Sequence, residues 1–173
     1  MPVEPCVAPV IVPAMPRLAA CLACLACVLA AGPALAAPAT ERLVGTPQAD
    51  TLTGTAGRDV IRGRGGNDRL TGGPGNDRIA GGPGNDLLAG DAGRDALTGG
   101  RGADTMLGGA GADLVNAATR DGAGDVVVAG AGNDTVSALD GAPDRISCGP
   151  GRDRVRADRG DAVGRDCERV SRA

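Results

Sequence analysis

The chain has no Trp, Tyr or Phe, no His and no Lys; all 18 of its cationic side chains are Arg. Each absence removes a class of protein. Without aromatic rings an ordinary globular core lacks its largest fillers, so any core must be built from small aliphatic side chains. Without His there is no imidazole base and no HExxH zinc site, and without Lys there is no Schiff base. No basic run is interleaved with stacking residues, which argues against nucleic acid as a partner. Long apolar runs are scarce too. The most apolar one, residues 18–31, is shorter than the roughly 20 residues of a membrane span. The hydrophobic content of 42% overstates the material for a core, because much of it is Ala and much lies in the first 37 residues. The net charge is a mild −3.

What the chain has in quantity is Gly and Asp, and both are periodic. Residues 45–116 are eight nine-residue units without an insertion, the clearest being GGPGNDRIA at 72–80 and GGPGNDLLA at 81–89. The first residue of every unit is Gly: Gly45, Gly54, Gly63, Gly72, Gly81, Gly90, Gly99 and Gly108. The sixth is always Asp: Asp50, Asp59, Asp68, Asp77, Asp86, Asp95, Asp104 and Asp113. The eighth is always aliphatic: Leu52, Ile61, Leu70, Ile79, Leu88, Leu97, Met106 and Val115. The fourth is Gly except at Gln48, and the second varies most, with Thr46, Thr55, Arg64 and Asp91 among the glycines.

One unit can be read physically. Its glycines permit the positive φ of a tight turn. A turn with inward carbonyls and one carboxylate offers a set of hard oxygens, the donors that calcium prefers. The last three residues of the unit alternate, one apolar side chain between two others, and predict a three-residue strand. A linker rich in Gly and Asp has no reason to place an aliphatic residue two positions after every Asp.

This array resembles the RTX, or haemolysin-type calcium-binding, nonapeptide repeat, GGxGxDxUx with U aliphatic, which is associated with a parallel β-helix that binds calcium. The resemblance implies an all-β fold, a parallel β-roll (a right-handed β-solenoid), in which two units make one flattened coil. Ca2+ is then the expected ion, lying between turns one coil apart. Asp50, Asp68, Asp86 and Asp104 are expected along one edge, and Asp59, Asp77, Asp95 and Asp113 along the other. Four turns per edge imply about six calcium sites in all. The resemblance adds turn carbonyls, those of the first and third residues, as further ligands. Leu43, in phase with Leu52, is expected to form an N-terminal strand that caps the ladder, within a domain spanning 37–116.

Beyond Asn116 the strict period ends. A small insertion covers 117–122, and the Asp-x-aliphatic signature resumes at Asp125/Val127, Asp134/Val136, Asp144/Ile146, Asp153/Val155 and Asp161/Val163. Units 129–137 and 148–156 stay close to the pattern, so Asp134 and Asp153 join the expected metal ligands, although Ala129 and Cys148 replace the first Gly and Pro143 also departs from the consensus. Residues 117–173 are therefore predicted to be degenerate coils that end the solenoid.

Residues 1–36 are expected to be an export signal. Arg17 precedes the apolar run, Gly32 and Pro33 end it, and Ala34-Leu35-Ala36 suits cleavage before Ala37. The start is read at Met1 or at Met15. Lipidation at Cys21 fits less well, because Arg17 abuts the would-be lipobox and the apolar run follows the Cys. Cys6, Cys21, Cys24 and Cys27 all lie in this leader, which leaves Cys148 and Cys167 as an even pair in an exported chain and predicts a disulfide.

No catalytic residues are assigned, since every Asp belongs to a periodic array with one repeated job. The expected function is that of an exported, secreted calcium-binding protein that is not an enzyme. A calcium-rigidified structural or adhesive surface protein, with a cell-surface or self-association partner, stands as the alternative. Ice binding is not supported: the outward ninth column runs Thr53, Arg62, Thr71, Ala80, Ala89, Thr98, Leu107, Asn116 and has no regular Thr ladder.

Overall fold

A single aliphatic side chain between two outward ones cannot bury itself alone; it needs identical neighbours stacked above and below. The computed structural model, which describes residues 40–119 and 121–173, places them so. The predicted leader, its cleavage site and Cys6, Cys21, Cys24 and Cys27 lie outside the described residues. In chain order the strands are β1 (Arg42–Val44), β2 (Thr51–Thr53), β3 (Val60–Arg62), β4 (Arg69–Pro74), β5 (Arg78–Pro83), β6 (Leu87–Ala92), β7 (Ala96–Arg101), β8 (Thr105–Ala110), β9 (Leu114–Asn116), β10 (Val126–Ala131), β11 (Thr135–Ala138), β12 (Arg145–Ser147), β13 (Arg154–Ala157), β14 (Ala162–Val163) and β15 (Arg169–Arg172).

Odd-numbered strands form an eight-stranded sheet from β1 to β15, and even-numbered strands a seven-stranded sheet from β2 to β14. Neighbours in both sheets pair in parallel. Each strand thus pairs with the strand one coil away, and the chain winds a flattened β-solenoid, advancing about 4.8 Å per coil. The aliphatic column lines its interior. Leu43, Ile61, Ile79 and Leu97 stack in register on one side, and Leu52, Leu70, Leu88 and Met106 on the other. Side chains from Ile61 to Val155 in this ladder are buried, whereas the end residues Leu43, Leu52 and Val163 are only partly covered.

One feature differs from the sequence expectation and a second gives it detail. First, β4 to β8 and β10 are six residues long, not three. The Gly-Gly-x residues after each aliphatic strand stay in register, as with Gly73 opposite Asp91 and Pro74 opposite Ala92. Gly73, at φ 94°, lets the chain turn the corner without leaving the ladder. Second, the downstream units continue as coils of unequal length, in keeping with the degenerate coils expected there. The coil separation grows to 21 residues after Asp104, then falls to 19, 17 and finally 15. The aliphatic residues remain paired throughout, Met106 with Val127, Val127 with Ile146 and Ile146 with Val163, so the extra length is absorbed in the turns.

The second column explains a strain. Arg64, at φ 84°, stands in a column where four of the eight units carry Gly. A non-Gly residue in a left-handed conformation costs about 1–2 kcal/mol. Arg64→Gly is therefore expected to stabilise the fold by about 1 kcal/mol, read as a higher thermal midpoint in saturating calcium.

Cys148 and Cys167 are disulfide-bonded, with 5.2 Å between their Cα atoms. The bridge ties β12 to the turn before β15, where the last coil is shortest. Reduction is expected to cost the C-terminal coils about 3 kcal/mol by the chain-entropy argument for a loop of this size. Alkylation without reductant, followed by mass spectrometry, is expected to label neither cysteine.

Candidate metal centre

The Asp of each unit precedes its strand, at the point where the chain leaves the turn. It therefore stacks above the Asp of the neighbouring coil. The backbone N–H of each donates to Oδ1 of the next. Asp50 donates to Asp68, Asp68 to Asp86 and Asp86 to Asp104, each at 2.8 Å. On the other edge Asp59 donates to Asp77 at 2.7 Å, then Asp77 to Asp95 and Asp95 to Asp113 at 2.8 Å. The two edges are thus composed as the 18-residue register predicts.

Each carboxylate has a second oxygen. Oδ2 of Asp68, Asp77, Asp86, Asp95, Asp104, Asp113, Asp125, Asp134, Asp144 and Asp153 is buried without a hydrogen-bond partner among the described residues. An orphaned buried carboxylate oxygen costs more than a kcal/mol unless something answers it. Its surroundings suit a hard cation. Beside the first-column Gly90, the spot where a Cβ would stand is 2.5 Å from Asp95 Oδ2 and 2.5 Å from the carbonyl oxygen of Gly108 on the next coil. Beside Gly45 the corresponding distances are 2.6 Å to Asp50 Oδ2 and 2.5 Å to Gly63 O. A carboxylate and a first-column carbonyl converge repeatedly at a place kept clear by Gly. Among the described residues no three carboxylates or thiolates cluster tightly enough to hold a metal alone, so backbone carbonyls must complete any site.

The third-residue carbonyls are already engaged: Ala92 O accepts from Gly75 N–H and Arg101 O from Gly84 N–H, both at 2.7 Å. A carbonyl has a second lone pair, so this bond leaves each one able to ligate.

The two N-terminal members behave differently. Asp50 Oδ2 accepts from Thr46 N–H at 2.5 Å and Thr46 Oγ1 at 2.9 Å. Asp59 Oδ2 accepts from Thr55 N–H at 2.6 Å and Thr55 Oγ1 at 3.0 Å. The loosest column of the sequence thus carries two threonines that satisfy the carboxylates next to the open end of the roll.

The ladder extends beyond the residues predicted. Asp104 N–H donates to Asp125, Asp125 to Asp144 and Asp144 to Asp161 on one edge; Asp113 donates to Asp134 and Asp134 to Asp153 on the other. Asp125, Asp144 and Asp161 belong to the array although they were not among the expected ligands; their Asp-x-aliphatic signature was the signal. Glu168 closes one edge by accepting from Asp153 N–H at 2.8 Å, and it too has an aliphatic residue, Val170, two positions on.

Burial pushes these carboxyls up. It raises Asp95 and Asp125 to about 7, and Asp104 and Asp144 to about 6, from 3.8. The N–H groups of the preceding coil pull the other way, while neighbouring carboxylates add to the rise. For Asp59 burial also pushes upward, but the Thr55 and Glu41 hydrogen bonds outweigh it and the net shift is down. A carboxyl raised in the folded state stabilises the fold fully below its unfolded value, and that contribution disappears as pH rises through the folded value. The calcium-free chain is therefore expected to hold more β-structure near pH 4 than near pH 8, losing it between about 6 and 7. Protons also compete with calcium, so the calcium midpoint is expected to rise on acidification across that window. Circular dichroism of the chelated protein checks this; a spectrum constant from acid to about pH 8 contradicts it.

A family model described as the RTX calcium-binding nonapeptide repeat (4 copies) matches residues 44–79, 80–115 and 121–142. No curated protein matches the chain.

Proposed function

Since the chain belongs to the RTX calcium-binding nonapeptide repeat family, we propose that it is an exported calcium-binding protein whose β-roll is completed by the ions at its edges. The row of buried Oδ2 atoms without partners carries this reading. Asp68, Asp77, Asp86, Asp95, Asp104 and Asp113 are the central ligands, assisted by first-column carbonyls. Asp50 and Asp59 are the weaker terminal members, because Thr46 and Thr55 already answer them. Asp134 and Asp153 keep the orphaned oxygen but follow Ala129 and Cys148 in place of the first-column Gly. Calcium supplies charge neutralisation and ties between coils; the chain supplies the register that aligns the oxygens.

The reading assigns the chain no catalytic step. Export is supported by the leader-like sequence of 1–36 and by the disulfide, a bond typical of oxidising compartments. Native mass spectrometry of the mature protein is expected to find about six bound calcium ions. A mass without calcium at millimolar calcium overturns the proposal.

A second reading, a calcium-rigidified structural or adhesive surface protein, draws on exposed apolar side chains of the seven-stranded sheet. Leu107 and Val128 lie in register, with Val126 beside them, and all three are exposed. Concentration-dependent association in sedimentation, seen only with calcium, favours this reading.

A further inference from the structure

The two outward positions that flank the buried aliphatic residue of each strand carry no carboxylate. On the eight-stranded sheet they carry Arg42, Arg62 and Arg78 toward the N-terminal end, and Arg154, Arg156 and Arg169 at the C-terminal end. Between them lie neutral residues, including Thr98, Asn116, Thr135 and Ser137. Apart from Asp91 on β6 of the opposite sheet, the acidic groups lie in the turns or at the strand entrances. Charge is thus segregated by position: anionic edges, cationic face. Linear sequence hides this, because Arg154 and Arg169 come together only through the pairing of β13 with β15.

We propose that this face binds an acidic polysaccharide laid along the solenoid axis, gripped at its C-terminal end by Arg154, Arg156 and Arg169. Arg154 and Arg169 are register partners on adjacent strands, about 4.8 Å apart at the backbone, and Arg156 stands about 6.6 Å further along β13. Among the described residues none of the three is ion-paired. They border a groove of ≈ 340 Å³ that Thr135, Val155 and Ser171 also line. Guanidinium forks match the planar or tetrahedral oxygens of carboxylate and sulfate groups. The second arginine group begins at Arg78 on β5, four strand spacings away, or about 19 Å. An extended polyanion can touch both groups, whereas a single small anion cannot. Hydroxyl and amide side chains between them offer hydrogen bonds to sugar hydroxyls. Nucleic acid would call for stacking rings, which the chain lacks.

The proposal rests on the calcium-folded roll, and its test reads the two separately. Calcium-loaded full chain is titrated with fluorescent dextran sulfate, with neutral dextran in parallel. Binding to dextran sulfate alone, weakening as salt rises, is expected. Arg154→Ser/Arg156→Ser/Arg169→Ser is expected to weaken it about tenfold or more, while Arg69→Ser/Arg145→Ser on the opposite face leaves it unchanged. Circular dichroism gives the calcium midpoint of each variant, so a folding failure bears on the calcium reading and an isolated binding loss on this one. Equal weakening by the two variants, equal binding of neutral dextran, or tighter binding to phosphatidylglycerol vesicles or single-stranded DNA than to dextran sulfate overturns it.

Discussion

In excess chelator the protein is expected to lose most of its β-signal, and to regain it cooperatively as calcium is added. The interior offers one large aliphatic side chain per strand, joined in the C-terminal coils by small ones such as Ala129, Ala138 and Ala157, and the chain has no ring anywhere. The turns are built from glycines, whose ordering costs more backbone entropy than that of any other residue. Stacking also brings carboxylates of one edge together in a buried row, where like charges oppose each other and their own burial opposes ionisation. Without a cation, ten buried carboxylate oxygens among the described residues have no partner, from Asp68 to Asp153. On the proposed reading calcium answers these oxygens and links one coil to the next, so that its binding energy becomes folding energy. Because each coil contacts mainly its neighbours, the transition is expected to spread along the stack and to sharpen with the number of linked coils. A β-rich spectrum that chelator leaves intact at neutral pH sinks this account. The C-terminal coils are the place to look for residual structure, since the disulfide and the Asp166 bonds to Cys148 N–H and Gly149 N–H hold them without metal.

The central array was legible because one physical requirement repeats in it. Gly clears the turn, Asp faces the edge and an aliphatic faces the core, so 72–80 and 81–89 announce the fold and point to the candidate site. The capping position of Leu43 was legible for the same reason, and it pairs with Ile61 in β3. Other features were hidden because they depend on which coil lies above which. Variable turn lengths mask the vertical alignment of Asp125, Asp144 and Asp161, although the strands hold it. Thr46 and Thr55 read as mere variation in a loose column; only the folded turn brings their hydroxyls to a carboxylate four residues on. The six-residue strands depend on main-chain pairing of Gly-Gly-x between coils, which side-chain alternation does not encode.

Asp77→Ala is expected to raise the calcium midpoint about tenfold or more, and Asp50→Ala by no more than about threefold. Asp77 sits mid-stack, 1% exposed, between near-consensus turns. Its Oδ1 holds Asp59 N–H at 2.7 Å and its Oδ2 is an orphan. Removing it strands a buried N–H, worth about 1–3 kcal/mol, and deletes a proposed ligand between neighbouring coils. Asp50 lies in a turn with Gln48 where Gly is usual, is only partly buried, and already spends Oδ2 on Thr46. Loss of a carboxylate also relieves repulsion along the edge, at Asp77 from Asp59 and Asp91, which works against the predicted direction. Asp77→Asn separates the contributions. Its amide oxygen can keep the Asp59 N–H bond, while its amide nitrogen cannot ligate calcium. If the site is a metal centre, Asp77→Asn should resemble Asp77→Ala in the calcium titration and not the wild type. Wild-type behaviour of Asp77→Asn would reduce the ladder to a hydrogen-bonding device, and equal effects of Asp77→Ala and Asp50→Ala would remove the distinction between inner and terminal sites.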